Sequence, residues 1–160
     1  MSKHSVYFFL LIFSVIISFA FAWKPQKDIS QEQGLFFCYI NGKPYSVDSV
    51  KANFRKITGG ETQLSLNNAR FVKFTFLNPS TKNINLEVAD KREAFIRYED
   101  PASSLVGIPV RGFVNISNLD EKNKVLSGDF EMELIMKVGG KDKTIKVTQG
   151  KMVNIPIVFK

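Results

Sequence analysis

The chain has 160 residues, 22 of them basic and 15 acidic, with one histidine and one cysteine. That length is one domain's worth of sequence. A single Cys38 excludes an intrachain disulfide, and the lone His4 leaves little room for histidine-based acid–base, nucleophilic or mixed zinc chemistry.

Lys3 and His4 form a basic start. Val6 to Phe21 is then apolar but for Ser14 and Ser18, and Ala20-Phe21-Ala22 supplies a small-x-small end. This pattern predicts a secretory signal peptide over 1–22, cleaved between Ala22 and Trp23. The apolar run is shorter than the ~20 residues a spanning helix needs, so export outranks a retained anchor. Cleavage would remove His4 and leave 21 basic against 15 acidic residues, a net of +6. Lys51, Arg55, Lys73, Arg97 and Lys146 fall in separate segments. Nucleic-acid binders concentrate their charge, so no nucleic-acid partner is expected. A solvated surface is the default for such scatter, ahead of weak contact with an anionic membrane or polysaccharide surface. Residues 23–33 are polar and aperiodic and read as a flexible tether, leaving 34–160 as a single β-domain.

Phe36 to Ile40 predicts a first strand, and Asn41-Gly42 the type I′ turn of a hairpin. Tyr45 to Val47 starts the return strand. Its parity breaks near Asp48-Ser49, which predicts a bulge before Val50, Ala52 and Phe54, with a short helix over 48–56 as the competing reading. Cys38 falls in an apolar run and reads as a buried, inert thiol. Gly59-Gly60 turns the chain into Gln63 to Leu66.

Period-two alternation continues through Val72, Phe74 and Phe76, through Ile84, Leu86 and Val88, and through Ala94, Ile96 and Tyr98. Phe95 and Arg97 alternate with the last set, which suggests a strand partly covered on both faces. Val110, Val114 and Ile116 repeat the pattern, with Gly112 marking a bulge or close backbone approach. Phe130, Met132, Leu134 and Met136 share a face. A tight Gly139-Gly140 turn sets Leu134 opposite Ile145, Met132 opposite Val147, Glu133 opposite Lys146 and Lys137 opposite Asp142. That register pairs apolar residues on one face and opposite charges on the other. Val153 to Phe159 carries Pro156 and reads as an edge or bulged strand. The total, about nine or ten short strands, predicts an all-β antiparallel sandwich or open barrel.

Phe36 to Tyr45 (FFCYINGKPY) resembles the opening strand and turn of an uncharacterised family of exported β-proteins from Gram-negative bacteria. Gly112 to Phe130 resembles that family's closing region, and Val147-Thr148-Gln149-Gly150 its last turn. The resemblance implies an envelope or extracellular β-domain and brings no catalytic residues. Many members resemble lipoproteins, with a cysteine directly after the signal. Here Cys38 lies well beyond Ala22, so lipid anchoring is not carried over.

Three places invite a functional reading. Glu131 and Glu133 lie on one strand face, roughly 7 Å apart at ~3.4 Å per residue. That is within glycosidase carboxylate range, although a solvated strand face offers the same spacing. Asp120 to Asn123 reads as turn chemistry, ahead of a metal site. Glu99 to Pro109 (EDPASSLVGIP) is the candidate binding loop, with Leu105, Val106 and Ile108 between two prolines and Arg97 and Arg111 at its flanks. The bland alternative is a crossover whose apolar residues tuck under the core.

The leading expectation is a non-catalytic exported domain with an interaction or structural role in the bacterial envelope, without a cofactor or metal. A small apolar-ligand carrier and a carboxylate-dependent glycan hydrolase follow.

Overall fold

The computed structural model describes residues 34–66, 69, 71–87 and 93–160. The expected signal segment, with Ala20, Ala22 and Trp23, the tether at 23–33 and Val88 lie outside the described residues.

Ten strands run in chain order: β1 (Leu35–Ile40), β2 (Lys43–Val47), β3 (Ala52–Lys56), β4 (Thr62–Leu66), β5 (Val72–Leu77), β6 (Lys82–Asn85), β7 (Ala94–Glu99), β8 (Val106–Asp120), β9 (Val125–Val138) and β10 (Lys141–Phe159). The all-β antiparallel class is as expected. The strands form one sheet in the order β2-β1-β10-β3-β4-β5-β7-β8-β6, with β9 pairing both β8 and β10. That bridge closes the path through β10, β3, β4, β5, β7, β8 and β9, while β1, β2 and β6 stand off it. The sheet is therefore wrapped over on itself, neither two free sheets nor a regular barrel.

Long strands that bend make the wrapping possible. β8 carries one extra residue between Pro109 and Arg111 and another between Ile116 and Asn118, both relative to β9. β10 does the same between Val147 and Gly150 and between Met152 and Ile155. Each bulge adds local twist and bends its strand. β9 between them is regular, its even-numbered residues buried from Leu126 to Met136.

The core lies where the wrapped faces meet. Phe36 of β1, Phe130 of β9 and Phe74 of β5 pack ring on ring, with centroids 5.2 Å (Phe36–Phe130), 5.0 Å (Phe74–Phe130) and 5.9 Å (Phe36–Phe74) apart. Cys38 is fully buried beside them, and burial pushes its thiol up to about 12. It is an inert core thiol, as its apolar run predicts.

Several local readings hold. Asn41 and Gly42 adopt the positive φ values of a type I′ turn, 50° and 78°. All four pairs expected across the Gly139-Gly140 turn are present, and the Lys137–Asp142 pair closes to 2.6 Å. The Asp120 turn is closed by Asn123, whose backbone N–H donates to Asp120 Oδ1 (2.8 Å) and whose side-chain amide donates to Oδ2 (2.6 Å).

Others are corrected. Ala52–Lys56 is neither a helix nor a continuation of β2. It is a separate strand, parallel to the end of β10 through Ile157–Ala52 and antiparallel to β4. The parity break at Ser49, with φ 61°, is where the chain leaves one part of the sheet for another. Val153–Phe159 is bulged as expected, but it continues β10 and is not an edge. On one side β1 pairs as far as Val153 and β3 joins at Ile157, so Pro156 sits between two partners where no N–H is needed. Val110 does not share the buried face of Val114 and Ile116. The bulge on β8 reverses parity there and leaves Val110 45% exposed. On β7 the second face is partly covered, as expected: Phe95 is half exposed and Arg97 and Glu99 are intermediate in burial.

Candidate functional site

The candidate loop is shorter than its sequence suggests, because Val106 to Pro109 already belongs to β8. What remains is a tight turn organised by Asp100. The Asp100 side chain accepts from the Ser103 N–H (3.1 Å) and hydroxyl (2.5 Å), and Asp100 N donates to Leu105 O (2.9 Å). The Ser103 hydroxyl and backbone hydrogen bonds hold the Asp100 carboxyl below its ordinary range. Leu105 is partly buried against the core, whereas Val106 and Ile108 point outward at 44% and 55% exposure. Arg97 lies on β7 and pairs with Glu99 (3.1 Å). Glu99 also takes Lys73 Nζ at 2.7 Å, and that hydrogen bond lowers its pKa. A depression of about 430 Å³ beside this turn is lined by Phe71, Glu99, Asp100, Pro101, Ser104 and Val106. Its carboxylates are committed to holding the turn and the strand end. The five predicted residues therefore divide: Val106 and Ile108 form an outward apolar ridge with Val110, Leu105 supports the core, and Arg97 and Arg111 belong to separate ion pairs.

Arg111 leads to a second place, which the loop reading missed. It projects from β8 just after the first bulge, opposite Glu133 of β9, which in turn faces Lys146 of β10. Arg111 Nη2 lies 2.6 Å and its Nε 2.8 Å from Glu133 Oε2, while Lys146 Nζ is 3.7 Å from Oε1. One row away, Phe113 faces Glu131. Glu131 Oε1 accepts the N–H of Gln149, a residue the β10 bulge places at φ 53°. Arg111, Phe113, Glu131, Glu133 and Lys146, with Thr148 and Glu87, line a surface groove of about 320 Å³. Glu87 is placed there by the turn after β6, where Leu86 N donates to Gly112 O (2.9 Å) and Glu87 N to Asn85 Oδ1 (3.0 Å).

The groove's shape follows from the bulges. One sits on each neighbour of β9, at Val110 on β8 and at Thr148-Gln149 on β10, and together they flank Glu131 to Leu134. Bulges re-aim side chains and bend the strand that carries them. Gly112 is required at the centre, because a Cβ there would lie 2.2 Å from Glu131 O and the residue holds φ 124°. The turn after β1 adds a further support. Asn41 N donates to Lys146 O (2.8 Å), and Lys146 N donates to Asn41 Oδ1 (2.9 Å), which fixes the backbone that carries the Lys146 side chain.

Chemically, the groove offers a mixed set of acceptors and donors. Neither Glu131 nor Glu133 stands isolated in an apolar pocket, the arrangement that makes a carboxyl a general acid. Among the described residues no group of histidine, cysteine, aspartate and glutamate is arranged to hold a metal ion. A third depression, of about 260 Å³, lies on the polar outer face of β3, β4 and β5 around Asn53, Gln63 and Thr75.

No protein-family model, curated protein or solved structure matches this chain.

Proposed function

We propose that this protein is an exported, non-catalytic β-domain that holds a partner in the bacterial envelope, with the bulge-flanked groove as its binding face. The observation that carries this reading is a concave site at whose centre Glu133 is paired with Arg111 and Lys146, beside the exposed ridge of Val106, Ile108 and Val110. In such a surface the exposed ridge supplies the apolar contact and the paired charges of the groove supply a polar rim beside it. The export part rests on the pattern of residues 1–22 and on the motif resemblance to exported β-proteins.

No observation favours the other two readings. A carrier needs an open apolar interior, and Phe36, Phe74 and Phe130 pack together there. A glycan hydrolase needs one carboxyl raised by an apolar pocket to act as an acid, whereas Glu133 is engaged by two cations and Glu131 is solvent-exposed and takes the Gln149 N–H.

The test is a photo-crosslinking amino acid placed at Ile108 or Lys146, and at Ser65 as a control, in cells exporting the protein. Adducts from the first two positions and none from the third support the reading. Equal labelling at all three, or none at any, overturns it. Mass spectrometry of the same exported material should find an N-terminus at Trp23; a retained segment overturns the export step as stated.

A further inference from the structure

We propose that the groove, together with the row of side chains leading from it to Tyr39, binds a neutral oligosaccharide; this rests on the groove being the binding face. The row crosses four strands. Phe113 on β8 faces Glu131 on β9, Glu131 lies against the Thr148-Gln149 bulge on β10, and Thr148 faces Tyr39 on β1. At ~4.8 Å between neighbouring strands, three spacings separate the backbones that carry Phe113 and Tyr39, about 14 Å along the sheet. Tyr39 is steadied by an edge-to-face contact with Phe37, centroids 5.3 Å apart.

The chemistry between the rings selects the ligand class. Glu87, Glu131 and Glu133 can only accept hydrogen bonds when ionised, and Arg111 and Lys146 can only donate. An anionic ligand would meet three carboxylates, and a cationic one would meet two cations. An apolar chain would desolvate Glu87 and Glu131, which have no cation beside them among the described residues, as well as the Glu133 ion pairs. A sugar fits both halves: each hydroxyl donates and accepts, so it can donate to the Glu131 and Glu87 carboxylates and accept from the N–H groups of Arg111 and Lys146 that Glu133 leaves over. Its C–H faces lie against aromatic rings, and Phe113 and Tyr39 provide one at each end. The two bulges supply the concavity that a flat sheet lacks.

The test is a titration of the isotopically labelled exported protein with cellohexaose, chitohexaose and maltohexaose, followed by amide chemical shifts. Saturable shifts at Phe113, Glu131, Thr148 and Tyr39 with at least one of the three are expected. Phe113→Ala and Tyr39→Ala should each weaken that binding about tenfold, the scale of one ring contact, with the melting temperature as the check that both variants fold. Silence with all three sugars, or shifts confined to the Asn53–Ser65 face, overturns the proposal. If the crosslinks from Lys146 still form with a protein, the binding face stands and only the glycan assignment falls.

Discussion

Glu133 is held by Arg111 on one side and Lys146 on the other, yet Arg111 is 61% and Lys146 66% exposed. Solvent screening keeps such pairs weak, so Glu133→Gln should cost less than about 1 kcal/mol of stability in denaturant titrations. A loss well above that would make the triad a structural brace. Leu105 and Val106 give the opposite contrast within two adjacent residues. Leu105→Ser should lower stability by about 1–2 kcal/mol because the side chain packs against the core, whereas Val106→Ser should leave it within about 0.5 kcal/mol. Equal effects in thermal melts would contradict the division of the loop described above. Gly112 shows how one absent Cβ matters. Gly112→Ala would push a methyl group onto Glu131 O and strain φ as well, a cost of at least about 2 kcal/mol together with loss of the groove's shape.

At the scale of elements, turns do more than reverse the chain. Asn41→Ala loses both the left-handed preference and the bond to Lys146 N, whereas Asn41→Gly keeps the turn and loses only the bond. Both should shift the backbone amide of Lys146 in NMR spectra, with Ala the more destabilising by about 1 kcal/mol; an unmoved Lys146 amide would detach the turn from the groove. The acidic turns set a pH dependence. Asp120 is held below its ordinary range by the Asn123 backbone N–H and then its side chain, Asp100 by Ser103, and Glu99 first by Lys73. A carboxyl depressed in the folded state contributes stability that is complete above its unfolded pKa and is lost as pH falls through the folded value. Melting temperature should therefore decline below about pH 4, and the gap between the protein and Asp120→Ala should narrow there. A gap unchanged from neutral to acid pH would rule out this account.

At the scale of the molecule, Phe130 ties the wrapped faces together. It stacks on Phe36 and meets Phe74, and the space a Cβ on Gly150 would occupy is filled by its ring, 2.4 Å away. Phe130→Ala should cost about 3–5 kcal/mol in denaturant unfolding, more than any surface change above. A cost near 1 kcal/mol would mean that the layers are held elsewhere. The ring path itself has narrow seams: β7 meets β8 at two register pairs and β10 meets β3 at three.

Local chemistry determined much of this protein from its sequence. The Asn41-Gly42 turn, the inward set from Phe130 to Met136, the four pairs across Gly139-Gly140 and the Asp120–Asn123 closure all follow from contacts within one turn, strand or hairpin, where side-chain parity and turn preference leave one solution. Half of the groove is legible too, since alternation puts Glu131 and Glu133 on one face, the Gly139-Gly140 register sets Lys146 opposite Glu133, and Arg111 flanks the 99–109 segment. The rest depended on strands distant in sequence. Only the tertiary structure decided that β3 runs parallel to the end of β10, that Pro156 lies in a seam, that Val110 turns outward and that Phe113 and Thr148 join the carboxylates. The physical reason is the bulges. An extra residue in one strand reverses parity relative to a partner, and its position is set by that partner's register, which alternation within a single strand does not encode.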